Sequence, residues 1–181
     1  MKKSILFAMI ALCSSILISC ASLPKTVKPG DTLVIGRAEA YLHDYLAFED
    51  VDFKGRKLAG IEITIKEVNT GKKFIVKTDN DGCFITTKCK AGPSYALESF
   101  KITVSGNSGA QRSISVSFSN PRIFSAHDNC VVNLGGLYID FDGKNNWATW
   151  EVKNHFYVKQ FFEELDEESE WHNKQIIDLR G

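Results

Sequence analysis

The chain has 181 residues, 44% hydrophobic and 24% charged, which is enough for one packed core. Its 22 basic and 22 acidic residues cancel to a formal charge of zero. Nucleic acid is therefore not expected as a partner, because phosphate binding needs a basic excess on some face.

Lys2 and Lys3 precede an apolar run from Ile5 to Ile18. At 14 residues the run is shorter than the roughly 20 needed to cross a bilayer, and it fits the hydrophobic region of a secretory signal. It ends in Leu17-Ile18-Ser19-Cys20. Leu at −3, a small residue at −1 and Cys at +1 together resemble the lipobox of bacterial lipoproteins. The resemblance implies cleavage before Cys20, diacylglycerol on its thiol, and acyl chains such as palmitate that make membrane lipid the first partner. One chain anchors marginally and two or more anchor stably, at about 0.8 kcal/mol per buried methylene. In the enterobacterial sorting rule an Asp after the lipid-bearing Cys retains a protein at the inner membrane. Ala21 thus points to the outer membrane, with the body facing the periplasm or the cell exterior. Residues 1–19 are expected as the signal peptide. Residues 20–31 follow as lipidated Cys and Pro-punctuated tether, of which 21–31 extend to about 36 Å. The mature chain would carry 20 basic against 22 acidic residues.

From Asp31 the apolar period is two. Ile61, Ile63 and Ile65 alternate with Glu62, Thr64 and Lys66, the pattern of a half-buried strand. Phe74, Val76 and Thr78 continue it up to Asp79-Asn80-Asp81-Gly82. Phe100, Ile102 and Val104, then Ile114, Val116 and Phe118, flank Gly106-Asn107-Ser108-Gly109, a hairpin turn rather than a G-x-S-x-G elbow. Leu137, Ile139 and Phe141 repeat the pattern. With 32–42 the expectation is about seven antiparallel strands over residues 32–153, without crossover helices. After Asn154, a plausible N-cap, Val158, Phe161, Phe162 and Leu165 fall on one helical face. Residues 154–181 are expected as a C-terminal helix, fraying among acids 163–170, and a tail whose Trp171, Ile176, Ile177 and Leu179 pack back on the body.

The stretch Gly55 to Phe84, GRKLAGIEITIKEVNTGKKFIVKTDNDGCF, resembles the carboxypeptidase regulatory-like family of prealbumin-like sandwiches. The shared features are a Gly, an alternating strand, a Thr-Gly turn and Thr-Asp-x-x-Gly-x-Phe. Gly92-Pro93-Ser94-Tyr95 echoes the following pG-x-Y strand with one extra residue. The resemblance spans about residues 55–105. It implies a seven-stranded Greek-key sandwich, here with a C-terminal α-helix, and a non-enzymatic module without catalytic residues.

Asp79-Asn80-Asp81 looks like the start of a calcium loop, but Phe84 and Lys90 stand where an EF-hand needs Gly and a bidentate Glu. Turn chemistry is the expectation, with no metal and no cofactor. Cys83 and Cys89 would lie about 20 Å apart on a continuous strand, too far for a disulfide. Cys130 could pair with either, or all three could be buried thiols. His127-x-x-Cys130 offers only one short metal-ligand spacing, where zinc sites prefer two. Trp147 and Trp150 could stack on sugar rings if exposed, though residues three apart on a strand point to opposite faces. The expected function is a membrane-anchored envelope lipoprotein, a non-enzymatic module that binds or supports another envelope protein or a glycan. A carbohydrate-binding lipoprotein is the alternative, and a hydrolase the more distant one.

Overall fold

The computed structural model describes residues 25–42, 47–48, 51–52, 57–58, 60–142, 147–153, 162 and 168–179. In chain order the strands are β1 (Thr32–Leu42), β2 (Ala47–Phe48), β3 (Val51–Asp52), β4 (Lys57–Leu58), β5 (Glu62–Glu67) and β6 (Lys73–Lys77). They continue with β7 (Cys83–Thr86), β8 (Ser94–Ser105), β9 (Gln111–Ser125), β10 (Cys130–Asp142), β11 (Trp147–Lys153) and β12 (Gln175–Asp178).

Leu33, Val34 and Ile35 of β1 are all fully buried, as are Val131, Val132 and Leu134 of β10. A continuous apolar run, rather than an alternating one, marks a strand covered on both faces. These two strands pair in parallel from Thr32 opposite Cys130 to Leu42 opposite Phe141, with one slip between Ile35 and Arg37. At the slip, Gly36 lies under the Phe84 ring, where a Cβ would come within 2.5 Å of it. Gly135, across the slip, has φ +73°, so glycine serves this bulge on both strands.

The first sheet grows around that pair. β11 joins β10 antiparallel and β12 joins it in parallel, while β4 and β7 pair antiparallel with β1. The second sheet is antiparallel throughout, in the order β6-β5-β8-β9, and β2 pairs with β3 separately. Ile61, Ile63, Ile65, Phe100, Ile102, Val104, Val116 and Phe118 of the second sheet face Val34, Ala38, Ala40, Val132, Leu137 and Ile139 of the first in one core. The period-two alternation read along β5, β6, β8 and β9 matches the burial of their residues, and Leu137 and Ile139 of β10 follow it, while the Phe141 side chain lies outside the described residues. Gly106–Gly109 closes the β8–β9 hairpin, with the Gly106 N–H donating to the Ala110 carbonyl at 2.9 Å.

Tyr95 holds one corner. Its hydroxyl accepts from the Lys90 N–H at 2.9 Å and donates to the Lys90 carbonyl, while its ring lies against Phe124 and Phe74. Sandwiches use such tyrosine corners to pin a strand entry to the preceding loop.

Three expectations need correction. The strands of four or more residues number nine among the described residues, rather than seven. The architecture is mainly β with two sheets, but the first is mixed, not purely antiparallel. Alternation reports which face is buried and carries no strand direction, and among the described residues the connection from β1 to β10 is made of strands, those of the second sheet together with β2, β3, β4 and β7. The expected C-terminal helix falls mostly on residues outside the described ones. Among the described residues, Phe162 is helical and buried, and the C-terminal segment otherwise forms one 3-10 turn, Glu170–Asn173, and the strand β12. Ser169 caps that turn by accepting from the Trp171 N–H.

Trp171 is wholly buried against Leu33, Ile35, Val131 and Phe162, on the face of the first sheet turned away from the main core. Leu179 packs on the main core, and Ile176 stays 44% exposed. Trp171→Ala should therefore lower stability by about 3–5 kcal/mol in urea unfolding. Ile176→Ala should change it by about 0.5 kcal/mol or less. Equal small effects would mean that the C-terminal segment does not belong to the folded unit.

Candidate functional site

The Asp79–Gly82 stretch follows β6 and leads into β7. Its geometry is that of a side-chain-braced turn. The Asp79 carboxylate accepts from the N–H of Asp81 at 3.0 Å and of Cys83 at 2.8 Å, and the Asp79 N–H donates to the Cys83 carbonyl. Gly82 has φ +83°, and a Cβ there would meet the Ala38 carbonyl oxygen at 2.6 Å. That close approach is used: the Ala38 N–H donates to the Gly82 carbonyl at 2.8 Å, tying the turn to β1. Arg37 Nε adds a bond to the Asp81 carbonyl. Among the described residues no group of three His, Cys, Asp or Glu side chains is placed to hold a metal.

Cys83, Cys89 and Cys130 form no disulfide with one another, and they go to different places. Cys83 borders the Trp171 cluster, whereas Cys89 is buried in the main core. β7 ends at Thr86, so the two do not share a strand. Burial pushes the Cys89 thiol up to about 12, which suppresses thiolate chemistry at neutral pH. His127 is exposed, and its contribution is its carbonyl, which accepts from the Thr32 hydroxyl. Cys130 pairs by backbone with Thr32 and Gln175. The His-x-x-Cys spacing thus joins a loop to β10.

A hub of hydrogen bonds gathers at this end of the sandwich. The Asp31 carboxylate takes the Lys90 ammonium and the Lys28 N–H, and the Asp31 carbonyl accepts from Asn129. The Gly30 N–H donates to Asp128 Oδ1 at 2.6 Å, and Ala91 donates to the Gly30 carbonyl. The Lys90 hydrogen bond holds the Asp31 carboxyl below its ordinary value, against the opposing pull of desolvation.

The sequence pattern did not single out the other polar cluster. On β1 and β10 the register sets Glu39 opposite Tyr138 and Tyr41 opposite Asp140. The Tyr41 and Tyr138 rings stack at 4.7 Å. Arg37 pairs with Glu39 at 2.9 Å, and the Tyr41 hydroxyl donates to the other Glu39 oxygen at 3.2 Å. Burial, then the Glu39 charge, raises the Tyr41 pKa. Both Glu39 oxygens are engaged and the phenol stays protonated, so the network is braced rather than poised for proton transfer. Alternation of Arg37, Glu39 and Tyr41 was visible in the chain, but only the parallel pairing brings Tyr138 beside them.

Trp147 and Trp150 lie on β11 opposite Asp142 and Ile139, and the exposure of their indoles lies outside the described residues. Cys20 and the apolar run before it also lie outside them. No helix among the described residues is long and apolar enough to cross a membrane. No protein-family model, curated protein or solved structure matches this chain.

Two outcomes follow from this geometry. Gly82→Val should lower the melting temperature, because a β-branched side chain is strained at φ +83° and collides with backbone. Millimolar calcium should leave the wild-type value unchanged, and a calcium-dependent rise would make the stretch a metal loop. The second outcome concerns Asp31. A carboxylate whose folded pKa is depressed stabilises the fold above its unfolded pKa, and this contribution fades as pH falls through the folded value. The stability difference between wild type and Lys90→Ala should thus be present at neutral pH and shrink below about pH 4. A difference independent of pH would remove the ion pair from the account.

Proposed function

We propose that the protein is an envelope lipoprotein, anchored through acylated Cys20, whose non-enzymatic β-sandwich body binds or supports another envelope component. The observation that carries this reading is Leu17-Ile18-Ser19-Cys20 at the end of a short apolar run behind two lysines. Anchoring needs at least two acyl chains to be stable, which lipobox processing supplies at one residue. On this reading Ala21 favours the outer membrane, and the body is a prealbumin-like relative of the carboxypeptidase regulatory-like modules.

Support for a non-enzymatic body comes from how its reactive side chains are engaged. Asp79 braces a turn, Asp31 holds Lys90, Glu39 holds Arg37 and Tyr41, and the Cys89 thiol is buried. These bonds stabilise the folded chain and leave those groups committed to it. Labelled palmitate should enter the wild-type protein in cells and not Cys20→Ala. Equal labelling of both would sink the lipoprotein reading.

A further inference from the structure

The segment before β1 does not leave the body as a free tether. Lys25 and Val27 lie along the C-terminal turn: the Glu170 N–H donates to the Lys25 carbonyl at 3.1 Å, and the Val27 N–H donates to Glu170 Oε2 at 2.8 Å. The Val27 side chain packs against the Trp171 cluster, and Lys25 Nζ lies 2.9 Å from Glu168. That ion pair is exposed and contributes little, so the two backbone bonds and the apolar contact hold the segment. Further on, Gly30 is bonded to Asp128 and Ala91. The stretch 25–31, expected as part of a tether, is a clip on the folded body.

Five residue steps separate Cys20 from Lys25, a reach of about 18 Å at most, whereas eleven steps to Asp31 would reach about 40 Å. We propose that this clip sets how far the body stands from the bilayer and which end faces it. Resting on the lipid-anchor reading, the inference assigns the end formed by Lys28, Gly30, Lys90, Gly92, His127 and Asp128 to the lipid headgroups. The Gly106–Gly109 hairpin tip then projects outward. β8 runs from the first end to the second over 12 residues, about 40 Å at 3.3 Å per residue. Opening the clip would lengthen the tether by roughly 20 Å and free the body to tilt.

The test is energy transfer from a dye at position 127 or 108 to acceptor-labelled headgroups in phosphatidylcholine vesicles. One arm uses the lipidated chain recovered from membranes. The other uses residues 20–181 ligated at the N-terminal Cys20 to a synthetic lipid. The dye at 127 should transfer strongly and the dye at 108 weakly. Transfer at 127 should fall at least twofold in Val27→Asp with Glu170→Ala, which places charge in the apolar contact and removes the Val27 acceptor. A six-residue Gly/Ser insertion after Ser22 should produce a similar fall with the clip intact, so misfolding of the double variant does not decide the matter. Equal transfer from both positions, or an unchanged signal in a folded double variant and in the insertion variant, overturns the proposal. Absence of membrane-bound protein in the first arm counts against lipidation, and the ligated arm then decides the clip alone.

Discussion

The parallel pairing of β1 with β10 is the constraint on which the rest of the structure depends. The first halves of both strands, Leu33–Ile35 and Val131–Leu134, are buried on both faces, so that part of neither can sit at a surface. The main core occupies one side of the pair. The other side needs a second cover, and the chain supplies it from Phe162 and Trp171, with Val27 at the margin. A sandwich with one solvated face per sheet would have had no use for that C-terminal segment. The terminal segments are therefore structural here, each lying against the other and against the same outer face.

The two sheets are also tied at a point where the second is irregular. β9 places residues 118–121 opposite a single position of β8, and Pro121 is tolerated there because a bulge asks for no ladder N–H. Beyond the bulge the half-buried Arg122 guanidinium donates to the carbonyls of Leu134 on β10 and Leu179 in the tail. One side chain thus ties the irregular edge to the central strand and to the chain's end. At the opposite edge, β6 exposes Ile75, and Lys88 Nζ donates to the Ile75 carbonyl while lying near the Phe74 ring. A lysine on an open carbonyl is a means of blunting a free strand edge.

How much of this could be read from residues alone differed by element. Ile61, Ile63 and Ile65, or Phe100, Ile102 and Val104, announce both their strands and their buried faces, because one polar face forces alternation. The Asp79–Gly82 turn was readable because Asp and Gly carry their turn chemistry locally. Strand direction was not readable, since it depends on which distant strand lies alongside. The Tyr41–Glu39–Arg37 network with Tyr138 was hidden for the same reason, being a product of register between strands far apart in the chain. The segment before Thr32 misled because its Pro and Lys content describes a solvated linker. Its docking rests on the Lys25 carbonyl, the Val27 N–H and the Val27 contact with the Trp171 cluster, which composition does not report.

The separation between Thr32 and its partner Cys130 also bears on how the molecule reaches its fold. Contacts between distant residues must overcome loop-closure entropy before they yield any stabilisation, and chains dominated by them fold in milliseconds to seconds. The local hairpins of the second sheet can form early, and β8 with β9 is the longest of them. β1, an early strand, can meet β4 and β7 first, but it lacks its long parallel partner until β10 has been made and its outer cover until the 171–178 segment follows. During that interval its Leu-Val-Ile run is the part of the chain most exposed to wrong partners. A holding factor that binds short extended apolar segments would find its site there, on a run that later becomes wholly buried.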